Sequence, residues 1–150
     1  MVEPLRRARR VTLGAFCVLY GCSQGEASVT EQQAQILAHE WIDAWNDHDL
    51  DRILSHYAED VVLTSPLAAE RLGDPSGTVR GKAALRAYFA MGLAAFPQLH
   101  FALRDVMWGV SSVVLYYVNQ RGTMTGEFME VAETGEVVRV VANYGGKVVA

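Results

Sequence analysis

Cysteine is nearly absent from this sequence: Cys17 and Cys22 are the only two, and none follows Ser23. A disulfide framework and a thiolate metal site are therefore excluded from the body of the chain. No apolar run reaches the ~20 residues that a membrane-spanning helix needs. Positive charge is scarce beyond the start. Arg6, Arg7, Arg9 and Arg10 against Glu3 give the first 21 residues +3, which leaves −7 on the remainder of a chain with net charge −4. An acidic body without a basic stripe argues against nucleic acid as a partner. The four histidines and the acidic residues form no cluster with metal-ligand spacing, so neither a metal nor another cofactor is expected. What the chain does have is apolar mass: 51% of its 150 residues, enough for the core of one domain.

Arg6 to Arg10 form a basic start, and Val11 to Gly21 an uncharged, mostly apolar run as long as a signal-peptide core. Leu19-Tyr20-Gly21-Cys22 resembles a bacterial lipoprotein signal, in which the cysteine after a small residue is lipidated. The expectation is an export segment over 1–22 with Cys22 lipidated, then a polar linker over 23–29. The protein would then sit at the cell envelope, touching membrane only through its lipid. A cytoplasmic domain with a start assigned too far upstream is the alternative.

In the body, Thr30 and Gln33 make a capping box, and Ala34, Leu37, Ala38, Trp41, Ile42 and Trp45 follow at helical spacing. Leu50, Ile53, Leu54 and Tyr57 predict a second helix, and Val61–Ser65 a short strand that Pro66 ends. Residues 66–80, with two prolines and two glycines, read as a long loop. Lys82–Phe96 predicts a third helix, stopped by Pro97. Four β runs follow: Leu99–Trp108, Ser112–Arg121, Glu127–Ala132 and Val137–Tyr144, with Gly122, Gly126 and Thr134-Gly135 as turns. Helices on one side of an antiparallel sheet make an α+β fold. Around Tyr116 both strand faces are apolar, Val113, Leu115 and Tyr117 on one and Val114, Tyr116 and Val118 on the other. Helices cover only one face, so a second copy is expected on the other, making a homodimer.

Asp49-Leu50-Asp51, then Tyr57-Ala58-Glu59-Asp60-Val61, then Val79-Arg80-Gly81-Lys82-Ala83-Ala84-Leu85 and a closing Gly135–Tyr144 stretch occur in an order that resembles the nuclear transport factor 2-like superfamily, in its SnoaL-like branch. The resemblance runs over roughly Thr30 to Tyr144 and places a SnoaL-like domain over 30–150. It implies a cone: a curved, mainly antiparallel sheet packed on three helices from the N-terminal half, with a ligand pocket in its mouth. It does not choose a chemistry, because the fold hosts isomerases, dehydratases, cyclases, epoxide hydrolases and binding modules.

Ketosteroid isomerases are the relatives whose chemistry can be carried over by position. Their general-base aspartate falls on Ser65, which has no basicity near neutral pH. Their oxyanion tyrosine falls on Trp41, a further tyrosine on Phe89, and Tyr57 matches a third. Their late-strand acid falls near Met124, where no acid stands. The aspartates and arginine of the epoxide hydrolases have only Arg104-Asp105 to match, and adjacent strand residues face opposite ways. His100 alternates with Leu99 and Phe101 and is a candidate acid or base. Glu127 and Glu130 have opposite parity, so at most one faces the pocket; Glu130, which shares a face with Phe128, is the choice if the pocket holds an acid. Arg139 and Asn143 share a face and can bond a polar ligand, although an exposed salt bridge is the commoner role for such an arginine. With Trp45 and Asn119 these complete the pocket candidates. The first functional reading is a domain that binds a small apolar molecule. A cofactor-independent isomerase, dehydratase or cyclase is the second, and a dimerising structural module the third.

Overall fold

The computed structural model describes residues 28–147, so the export segment, Cys22 and most of the linker lie outside the described residues. Helix α1 (Glu31–Asn46) starts where the sequence places it: Thr30 Oγ1 accepts from the Gln33 N–H at 3.2 Å, and Gln33 Oε1 accepts from the Thr30 N–H at 2.9 Å. Its buried stripe is Ala34, Ala38, Trp41, Ile42 and Trp45. Helix α2 (Leu50–Leu54) is capped by Asp49 and stops before Tyr57. Tyr57 instead opens strand β1 (Tyr57–Thr64), because its backbone pairs with Val137 and the Val137 N–H donates to the His56 carbonyl. A buried tyrosine satisfies helix and strand spacing alike.

The predicted loop over 66–80 is a helix, a turn and a strand. Pro66 ends β1 and also opens helix α3 (Pro66–Leu72), where its missing N–H costs nothing. Ser65 caps that helix, and Gly73, at φ +64°, ends it. Strand β2 (Thr78–Arg80) then pairs antiparallel with β1. With α4 (Lys82–Ala95) the helices number four among the described residues, one more than expected.

Strands β3 (Ala102–Trp108), β4 (Ser112–Val118), β5 (Thr123–Val131) and β6 (Val137–Lys147) complete a six-stranded sheet in the order β2-β1-β6-β5-β4-β3. Only β1 and β6 pair in parallel. Strand β3 begins late because Asn46, at the end of α1, exchanges two hydrogen bonds with the Phe101 backbone, at 2.7 and 3.0 Å. Strand β5 begins before Gly126, which pairs with Tyr116 and Asn143 inside the sheet and forms no turn. The helices cover one face, where Val113, Leu115 and Tyr117 are buried. On the outer face Val114 and Val118 are half-buried and Tyr116 is exposed.

The turn after α3 is locked to its start. The Ser65 N–H donates to the Gly77 carbonyl at 2.9 Å, and a Cβ on Gly77 (φ +58°) would collide with the Ser65 carbonyl. Gly73 shares the left-handed conformation but has open space around a Cβ. Gly73→Ala should cost the ~1–2 kcal/mol of that conformation alone. Gly77→Ala should cost clearly more. Urea unfolding of both variants checks this, and equal losses would show that the close approach does not matter.

Candidate functional site

A cavity lies between the inner face of the sheet and helices α1, α3 and α4. Its volume is about 70 Å³, and it opens to solvent on one side. Its wall is aromatic. Trp45 meets Phe89 edge-on at 4.8 Å between ring centroids, Phe101 packs on Tyr117 at 4.8 Å, and Trp41 stacks on Phe101 at 5.9 Å. The lining residues that keep exposure, Leu67, Arg71, Gly92, Phe96, Gln120 and Tyr144, form the mouth.

Glu127 is the one carboxylate on this lining. It sits on β5 between Leu115 of β4 and Ala142 of β6, and only 5% of its surface is exposed. Desolvation pushes its carboxyl from 4.5 up to about 7, against the opposing effect of the Tyr117 hydroxyl, which donates to Oε2 at 3.1 Å. The phenols around it respond. Burial first, and the Glu127 charge second, push the Tyr57 and Tyr117 hydroxyls well above their usual range. Tyr144 is pushed up to about 12, chiefly by burial.

Of the residues singled out by sequence, Trp41, Trp45, Ser65, Phe89 and Asn119 line the cavity. Tyr57 lies behind Trp41, whose indole N–H donates to the Tyr57 hydroxyl at 2.7 Å. Ser65 Oγ accepts from the Leu67 N–H and stands 3.2 Å from the Tyr144 hydroxyl, so it serves as helix cap and mouth residue together. The Asn119 amide is consumed by the β4–β5 turn: it donates to Thr123 and Thr125 and accepts from the backbone of Arg121 and Thr123.

Besides Tyr57, four candidates fall outside the lining. His100 is exposed. Glu130 points outward and accepts from Arg139 Nε at 2.8 Å in an ion pair, and the Arg139 guanidinium covers Phe128. Asn143 is exposed and bonds the carbonyls of Gly126 and Val141. The cause is parity: Phe128 belongs to the outer face, so Glu130 goes out with it and Glu127 comes in. The acid on the cavity lining is therefore Glu127, three residues beyond Met124 on the same strand. Counting alternation from Tyr117 across the Asn119–Gly122 turn to Thr125 would have found it.

Two buried donors lack partners among the described residues, Trp45 Nε1 and Arg71 Nε, and both residues line the cavity. Among the described residues no group of three or more His, Cys, Asp or Glu side chains could hold a metal ion. The arrangement offers a carboxyl pushed up to about 7, with the Tyr117 hydroxyl as its donor, on a mostly aromatic cavity lining.

That carboxyl should mark the stability curve. The folded state keeps a proton that the unfolded chain releases, so the contribution is full below about pH 4.5 and is lost as pH rises to about 7. Over that window the wild type should lose about 3 kcal/mol more than Glu127→Gln. Urea unfolding across pH measures the difference; parallel curves would contradict it.

Comparison with known proteins agrees with this geometry. A family model described as a SnoaL-like domain matches residues 38–149. A SnoaL-like protein of unknown function from Burkholderia thailandensis E264 is 40% identical, with a TM-score of 0.78 over 79% of this chain and 99% of that one. An NTF-2-like protein of unknown function from Burkholderia xenovorans LB400 is 17% identical, with a TM-score of 0.63 over 80% of this chain and 88% of that one. TerC, co-crystallised with polyporic acid, is 18% identical, with a TM-score of 0.63 over 75% of this chain and 92% of that one. No protein of curated function matches significantly. On the family match and the 40% identical relative together, the chain belongs to the SnoaL-like family.

Proposed function

We propose that the domain binds a small, mostly apolar molecule with a carbonyl or enol group and exchanges a proton with it, without a cofactor, through Glu127. The observation that carries this reading is the Glu127 carboxyl, buried on the cavity lining and pushed up to about 7. A group with that pKa is both a competent base and a competent acid near neutral pH. The indole N–H of Trp45, buried without a partner on the same lining, would be the donor for the negative charge that develops on the substrate oxygen. Ser65, with no acid–base partner of its own, is a positioning residue here. The fold neighbour co-crystallised with polyporic acid supports a small organic ligand.

One observation favours the reading as a dimerising module with a filled cone. The enclosed space, about 70 Å³, is less than half of the ~150 Å³ that takes up benzene in another protein. A substrate must therefore lie partly in the mouth. Under either reading a homodimer is proposed through the outer sheet face, where Val114, Tyr116, Val118 and Phe128 are incompletely buried. Export, with Cys22 lipidated, is proposed from the basic start and the apolar run before it.

The direct test is deuterium exchange at the α-carbon of 1-indanone in D2O, followed by NMR. The wild type should accelerate exchange with a rate that rises through pH about 7, and Glu127→Gln should slow it by ~10²–10⁴-fold. Exchange no faster than in buffer would favour the filled cone. Sedimentation at micromolar concentration should show a dimer; a monomer would count against the sheet interface. On phase partition the native protein should enter detergent and Cys22→Ala should stay in the aqueous phase.

A further inference from the structure

The mouth of the cavity carries two arginines that the proton-exchange reading leaves unused. Arg71, in the last turn of α3, and Arg121, in the β4–β5 turn, both hold their guanidinium groups over the Phe96 ring, at 5.3 and 5.9 Å from its centroid. Arg121 has Glu70 at 3.8 Å, in a solvent-accessible pair. Arg71 forms no ion pair among the described residues, and its Nε is buried without a partner on the cavity lining. Two cations therefore share one ring, and among the described residues Arg121 alone of the two has an ion-pair partner. Further along the wall the Trp45 indole N–H is also unpartnered, on a residue only 6% exposed. A buried donor without an acceptor is costly, more so when charged. Two such donors in one apolar cavity specify what a ligand must bring: acceptor oxygens, with negative charge at the mouth.

We propose that the ligand is a small carboxylic acid with a one-ring apolar body, its ring against Trp45, Phe89 and Phe96 and its carboxylate on Arg71, with Arg121 adding to the local positive field. This rests on the pocket reading above and narrows it to anionic molecules. The planar guanidinium suits a planar carboxylate and keeps its charge at every working pH. The limited enclosed volume accommodates part of a ring and leaves the acid group in the mouth, where the arginines stand.

The test uses full-length protein and tryptophan fluorescence, titrated with 3-phenylpropanoate and with its neutral counterpart 3-phenylpropan-1-ol. Titration at pH 6 keeps Glu127 largely protonated, so that it does not repel the probe. The acid should bind at least tenfold more tightly than the alcohol at low salt, and the gap should narrow as salt is added. Arg71→Gln should bring the two probes within twofold of each other, while Arg71→Lys should keep part of the preference. Circular dichroism confirms that the variants fold, and the salt series on the wild type tests the charge requirement without any variant. Equal binding of acid and alcohol to the wild type would overturn the anionic ligand and leave the pocket reading standing. Binding of neither would overturn both. A preference that survives Arg71→Gln would overturn the assignment to Arg71.

Discussion

The carboxyl of Glu127 has been taken out of water and given, among the described residues, a single protein donor, the Tyr117 hydroxyl. One hydrogen bond does not replace the solvation of a carboxylate, so the charged form is disfavoured and the proton is held to near neutral pH. Much of the fold serves to keep that group dry. The β4–β5 register sets Tyr117 and Glu127 on the same inner face, and the helices roof that face with Trp41, Trp45 and Phe89. The Trp41–Tyr57 hydrogen bond fixes the deepest ring of the wall. A site assembled this way carries the destabilisation of a buried acid, which a purely structural core would avoid by using an apolar residue.

The mouth depends on a different constraint. Ser65 ends β1, caps α3, contacts Tyr144 and accepts the close approach of Gly77. Those contacts fix where α3 begins, and α3 then carries Leu67 and Arg71 to the opening. The same seven-residue helix therefore contributes both apolar lining and a cation, Arg71, that has no ion pair among the described residues. The β4–β5 turn, held by the Asn119 amide, brings Gln120 and Arg121 to the same place from the sheet side.

The legibility of this structure in its sequence follows the strength of local signals. The capping box of Thr30 and Gln33 and the stripe from Ala34 to Trp45 describe α1 well, because a sixteen-residue amphipathic helix repeats its pattern several times. Helix α3 buries only Ala68, so it shows no stripe, and its proline served equally as a stop and as a first residue. Reading 66–80 as a loop removed Arg71 from consideration. Trp41, Trp45, Ser65 and Phe89 were legible as lining through the helical stripe and the family positions. Glu127 was not, because β4 is apolar on both faces and gives no parity, and Gly126 looked like a turn rather than a paired strand residue. A two-residue alternation carries no information about which face is inside until one residue is anchored. Here the anchor is Tyr117, whose hydroxyl reaches Glu127 across the hairpin.

The claim on which the rest stands is that Glu127 titrates near neutrality in the folded protein. A ¹³C NMR titration of the glutamate side-chain carboxyl carbons, with Glu127 assigned by comparison with Glu127→Gln, measures it directly. The account predicts a resonance whose midpoint lies at pH about 7 and which is missing from the variant. A midpoint near the ordinary 4.5 would contradict it, because the carboxyl would then be a solvated anion and the cavity would hold no proton to exchange.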